Sequence, residues 1–105
     1  MPTSLTEIEL AEVRRALPCW TIDMNRGALS RSFHTHRVLK GVGLIVEVTL
    51  QSYERNSRPE WLVRHDRVDV WLITEGSGGV SSDDVALALQ IDIVEQQTPS
   101  LAWNR

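Results

Sequence analysis

The stretch RVLKGVGLIVEVTLQSY, Arg37 to Tyr53, decides the fold, because local propensity and apolar period point to different structures there. Its β-branched residues, with Gly41 and Gly43, favour strand by propensity. Val38, Val42, Ile45, Val46, Thr49 and Tyr53 nevertheless recur at helical spacing and make one continuous apolar face. A segment of this length exceeds an ordinary strand, so the period prevails and a long helix is predicted.

The flanks on both sides read as hairpins. Toward the N-terminus, Thr6 and Glu9 form a capping box. Glu7, Glu9 and Glu12 lie early in that helix and Arg14 and Arg15 late, which complements its macrodipole. Ile8, Ala11, Val13, Ala16 and Leu17 supply its apolar stripe before Pro18 stops it. Cys19 is expected to be a small buried hydrophobe beside Trp20. Trp20 to Met24 then reads as a strand, Asn25-Arg26-Gly27 as a hairpin loop, and Ala28 to His36 as the return strand with Leu29, Arg31 and Phe33 on one face.

Toward the C-terminus, Glu54 to Pro59 is a polar loop. Trp61 to Arg64 and Arg67 to Thr74 form a second hairpin across His65-Asp66, with Val68, Val70 and Leu72 alternating against Asp69, Trp71 and Ile73. After Gly76-Ser77-Gly78-Gly79, Ser81 or Ser82 caps a last helix with Asp83 and Asp84 in its first turn. Val85, Ala88, Leu89 and Ile91 through Val94 are its expected buried side. The order α-β-β-α-β-β-α predicts an α+β fold, a four-stranded antiparallel sheet with helices on one face. Residues 5–95 form the single domain and residues 96–105 a polar tail.

Composition narrows the function. Eleven Lys and Arg against fourteen Asp and Glu give a net charge of -3, which offers no electrostatic reason to bind nucleic acid. One cysteine excludes an internal disulfide and a thiolate metal cluster. Met1 to Ser4 lacks the basic and apolar regions of a secretory signal, and Val42 to Leu50 is too short to cross a membrane, so a soluble cytoplasmic protein is expected. The histidines are His34, His36 and His65. His34 and His36 sit at i, i+2 spacing, which a metal site could use, but they read better as surface residues, and no metal is expected. His65 reads as a turn residue, and Ser57 lacks the context of an activated nucleophile. Arg55, Arg58 and Arg64 lie near Glu54, Glu60 and Asp66, either as a solvated charged loop or as a patch facing a partner.

Several landmarks together resemble the pterin-4a-carbinolamine dehydratases, from about Leu5 to Val94. They are Leu17-Pro18-Cys19-Trp20, Phe33 at the approach to the long helix, Asn56-Ser57-Arg58-Pro59-Glu60-Trp61, Arg67-Val68-Asp69-Val70, Gly78-Gly79-Val80-Ser81 and Asp84. The family's run before the proline reads Asn-His-His, and a third histidine precedes its paired glycines. Laid on this chain, the histidine pair falls on Ser57 and Arg58 and the third histidine on Glu75. The acidic residue four positions before the pair falls on Tyr53, and the Asp after the third histidine on Gly76.

Those departures carry a chemical expectation. Dehydrating a 4a-hydroxytetrahydropterin removes a hydroxyl and a ring proton, so it needs groups that donate and accept near neutral pH. Arg58 is always protonated, Ser57 does not titrate unaided, and Glu75 alone does not replace three imidazoles. The resemblance therefore implies a pocket of Ser57, Arg58, Pro59, Trp61 and Glu75 with no catalytic residue and no cofactor. It further resembles the branch encoded with α-carboxysome genes, which implies a RuBisCO assembly factor that binds RuBisCO subunits and forms a homodimer. Arg55, Arg58, Trp71 and Trp103 are the candidate partner-binding residues. An active dehydratase using Glu75 and His65, and a dimerisation cofactor of another protein, are the alternatives.

Overall fold

The computed structural model describes residues 4–34, 43, 46–50, 52, 55–64 and 66–97. The elements are α1 (Glu7–Ala16), β1 (Thr21–Asp23), β2 (Ala28–His34), α2 (helical residues 46–50), β3 (Ser57–Val63), β4 (Arg67–Thr74) and α3 (Ser82–Gln97). The strands form one antiparallel sheet in the order β1-β2-β4-β3, so the expected α+β architecture is present.

Register fixes which side chains share a face. Leu29 pairs with Leu72 and Leu72 with Pro59; Arg31 pairs with Val70 and Val70 with Trp61. These residues, with Phe33, Val68 and Ser57, point to the side covered by helices. Val13 from α1, Val48 from α2 and Leu87, Ala88 and Ile91 from α3 join Leu29, Phe33, Val70 and Leu72 in one core. The opposite face carries Ser30, Ser32, Arg58, Glu60, Asp69, Trp71 and Ile73.

Each helix turns inward a narrower stripe than its apolar sequence suggests. α1 begins at the predicted capping box, with the Glu9 amide donating to Thr6 Oγ1 at 3.2 Å and the Thr6 amide to Glu9 Oε1 at 2.9 Å. Val13 and Leu17 are its buried anchors, whereas Ile8 is 78% exposed. The long middle segment is helical where it is described, as its period predicts, but its phase differs. Val48 and Ser52 face inward, one turn apart, while Val46 and Leu50 face out. Val38, Val42, Ile45 and Tyr53 lie outside the described residues.

Two local expectations are corrected. Cys19 is exposed, because the turn after α1 spends its inward positions on Leu17 and Trp20. The loop ahead of the second hairpin is shorter than its polarity suggests, since β3 already begins at Ser57. Ser57 and Arg58 pair there with Thr74 and Ile73, and ladder pairing overrides their polar character.

The first hairpin turn is set by Asp23, whose Oδ1 accepts from the amides of Asn25 and Arg26, each at 3.1 Å. Gly27 follows with φ +62, and a Cβ there would lie 3.0 Å from Gly79 Cα. Gly27→Ala is therefore expected to cost about 2–3 kcal/mol, from a left-handed backbone and a backbone clash together. A fall in thermal midpoint of about 10 °C or more checks this. Gly27→Asn should recover only the backbone part, since its Cβ meets the same atom.

Candidate functional site

Alternation along β3 sorts the predicted pocket residues. Ser57, Pro59 and Trp61 face the helices, whereas Arg58 stands exposed on the opposite face. Glu75 lies just beyond the end of β4 and is exposed. The structure therefore unites Ser57, Pro59 and Trp61 on one side and does not bring Arg58 to them. Trp61 Nε1 is buried, with no hydrogen-bond partner among the described residues.

Ser57 belongs to a buried polar cluster. Its hydroxyl donates to Asp84 Oδ1 at 2.6 Å, and the Thr74 hydroxyl donates to the same oxygen at 2.7 Å. Thr74 Oγ1 also lies 2.5 Å from Ser81 Oγ. Because the single Thr74 proton goes to Asp84, the Ser81 hydroxyl is the donor in that contact. The Ser81 amide donates to Asp84 Oδ2 at 3.0 Å, and the Asp84 amide approaches Ser81 Oγ at 3.4 Å. Ser81 is thus the N-cap of α3, and Asp84 completes its capping box. The spacing Ser81-x-x-Asp84 is legible in the sequence as that motif. The contribution of Thr74 and the convergence of Ser57 on Asp84 are not, since β3 and α3 meet only through the fold.

Asp84 is fully buried, and its pKa is raised from 3.8 because desolvation outweighs the hydrogen bonds from Ser57, Ser81 and Thr74. A raised folded-state pKa means that the proton on Asp84 favours the fold. That contribution is fully present below the unfolded value, near pH 4, and is lost as pH rises through the raised value. Asp84→Asn lacks this dependence. Its thermal midpoint relative to the parent should therefore rise between about pH 4 and pH 7, and a relative fall would contradict the assignment.

Of the partner-binding candidates, Arg58 and Trp71 lie on the face of the sheet opposite this cluster. Trp71 lies on the helix-free face with the Arg26 guanidinium 5.0 Å from its ring centroid, and Arg26 is ion-paired with Glu60. Arg64 pairs with Asp69 at 3.4 Å, as does Arg67 at 3.3 Å, so the charges near the second hairpin are partly satisfied across the sheet. Arg55 and Arg58 are exposed, and no ion pair joins either to a carboxylate among the described residues. Trp103, His36 and His65 lie outside the described residues, while His34 is exposed opposite Arg67. Among the described residues no three His, Cys, Asp or Glu side chains converge as a metal set, and no helix is long and apolar enough to cross a membrane.

The helix-covered antiparallel sheet is a fold shared with known proteins. The sequence model of the family described as pterin 4 alpha carbinolamine dehydratase matches residues 3–94, and the chain belongs to that family. A protein of Rhodospirillum rubrum named "Putative pterin-4-alpha-carbinolamine dehydratase" is 40% identical over 75 residues, covering 71% of this chain and 78% of its own. A protein of the same name from Rhizorhabdus wittichii is 36% identical over 92 residues, covering 88% and 95%. The crystal structure of a transcriptional coactivator/pterin dehydratase from Brucella melitensis superposes with a TM-score of 0.79 at 32% identity, over 88% of this chain and 98% of that one.

Proposed function

We propose that this chain is a non-catalytic member of the family whose scaffold serves binding, and that its partner is RuBisCO. The observation that carries the first part is the state of Ser57 and Arg58, on which the family's histidine pair falls. Ser57 is 1% exposed with its only hydroxyl proton committed to Asp84. Arg58 projects from the opposite face of the sheet, and a guanidinium side chain is a donor with no acceptor site. Neither can take a proton from one atom of a bound pterin and deliver it to another. Glu75 offers a single exposed carboxylate beyond the strand end. The RuBisCO assignment rests on the resemblance to assembly factors encoded with α-carboxysome genes, and a homodimer is part of the same reading.

Two experiments test it. Stopped-flow dehydration of 4a-hydroxytetrahydropterin should show no acceleration, since each general acid or base lost is worth about 10²–10⁴ in rate. Turnover within about tenfold of an active family member would make the chain a divergent dehydratase instead. Co-expression with RuBisCO subunits should raise the yield of assembled enzyme, and Arg58→Ala should reduce that gain if the helix-free face makes the contact. Capture of a transcription factor from native lysate, with RuBisCO absent, would favour the dimerisation-cofactor reading.

A further inference from the structure

α3 is apolar on more than its inward side. Leu87, Ala88 and Ile91 are fully buried, yet Leu89 is 44% and Ile93 48% exposed on the outward side. α1 beside it leaves Ile8 in solvent. The Leu5 amide donates to the Val80 carbonyl at 2.7 Å, so the two helices set out from the same end of the molecule. Between them runs an open groove of about 370 Å³, lined by Leu5, Val13, Val85 and Leu89.

Among the described residues the charged side chains on its rim are Glu9 and Glu12, and no Lys or Arg lines it. Glu9 is held ionised because the Thr6 amide and hydroxyl keep its carboxyl below the usual carboxylate range. Among the described residues neither glutamate has a cationic partner.

We propose that this groove docks an amphipathic helix of a partner protein, one with an apolar stripe flanked by lysine or arginine. Two helices side by side present a furrow into which the ridges of a third can pack. The apolar floor supplies affinity, and the unpaired glutamates select a cationic flank, because an acidic helix would bring like charges together as water leaves. The groove shares the first turn of α3 with Asp84 but is lined by none of Ser57, Thr74, Ser81 or Asp84, so the proposal does not depend on whether the chain turns over pterin.

The test uses the full chain and three synthetic peptides of about eighteen residues, long enough to form a helix. One has leucines at i, i+3, i+4 and i+7 with lysine flanks, one has the same leucines with glutamate flanks, and one is a scramble of the first. The lysine peptide should bind and shift amide resonances of residues 5–16 and 82–93, with the other two binding at least fivefold more weakly. Glu12→Lys should weaken the lysine peptide about fivefold and narrow the gap to the glutamate peptide, as a partly exposed charge pair does. Leu89→Arg, at a half-exposed site, should weaken binding further while leaving the circular dichroism spectrum unchanged. Equal binding of all three peptides, or shifts confined to another surface, overturns the proposal. So does self-association through the groove, or a groove whose resonances move when residues 98–105 are removed, since either gives it a different occupant.

Discussion

Replacing Asp84 with alanine is expected to lower stability by about 3–5 kcal/mol, the cost of leaving several buried hydrogen-bond donors without their shared acceptor and of losing a helix cap. The carboxylate receives the Ser57 and Thr74 hydroxyls and the Ser81 amide, all within a region closed to water. Alanine leaves the Ser57 hydroxyl and the Ser81 amide buried without that acceptor, while the Thr74 and Ser81 hydroxyls keep each other. It also breaks the capping box of α3, worth about 1 kcal/mol at a typical cap. Thermal denaturation should show a midpoint lower by about 15 °C or more. Ser57→Ala removes one donor and leaves the others satisfied, so it should cost about 1 kcal/mol. Equal effects from the two substitutions would mean that Asp84 is not the hub.

The second large effect is expected at Asp92. Arg31 is 7% exposed on the helix-covered face, where its guanidinium meets Asp92 directly and Glu95 at 3.4 Å. Trp20 Nε1 donates to the same Asp92 oxygen at 2.9 Å, and Arg31 stacks 4.3 Å from the Phe33 ring centroid. Asp92→Ala strands a buried cation and an indole donor together, for a loss of about 2–4 kcal/mol, with Glu95 moderating the upper end. Arg31→Met removes the ion itself. Asp92 and Glu95 keep about a fifth of their side-chain surface in water and can be solvated, so this variant should cost about 1–2 kcal/mol. In denaturant titrations the double variant should fall short of the sum of the two. Additivity would show that Arg31 and Asp92 do not act as a pair.

Strands and hairpins were legible because a period of two survives in a short window. Leu29, Arg31 and Phe33 share a face in the sequence and in the sheet. The helices were legible in kind but not in phase. Where apolar residues surround a helix, as at Val46 and Val48 or at Ile91 and Ile93, periodicity alone does not say which of them faces the sheet. The candidate site divides the same way. The replacement of the family's histidines could be read from residue types alone, whereas the commitment of Ser57 to Asp84 depends on a contact spanning 27 residues. Arg31 announced an inward charge without naming its counter-charges, because Asp92 and Glu95 lie 61 and 64 residues away along the chain.

Pro59 has one more consequence. The Arg64 amide bonds the Arg67 carbonyl, and ladder alternation then turns the amides and carbonyls of Arg58, Glu60 and Leu62 toward β4. Those of Ser57, Pro59, Trp61 and Val63 point away, along the open rim of the sheet, and at Pro59 that rim has an acceptor but no donor. An incoming strand meets a zipper with one tooth missing. Two copies joined about Leu62 would set Trp61 against Val63 in both directions and skip the gap. Joined about Glu60, they would set Trp61 against Pro59 and leave a carbonyl unanswered in each copy. One imino acid thus discriminates between neighbouring registers and discourages stray strands from adding along the whole edge.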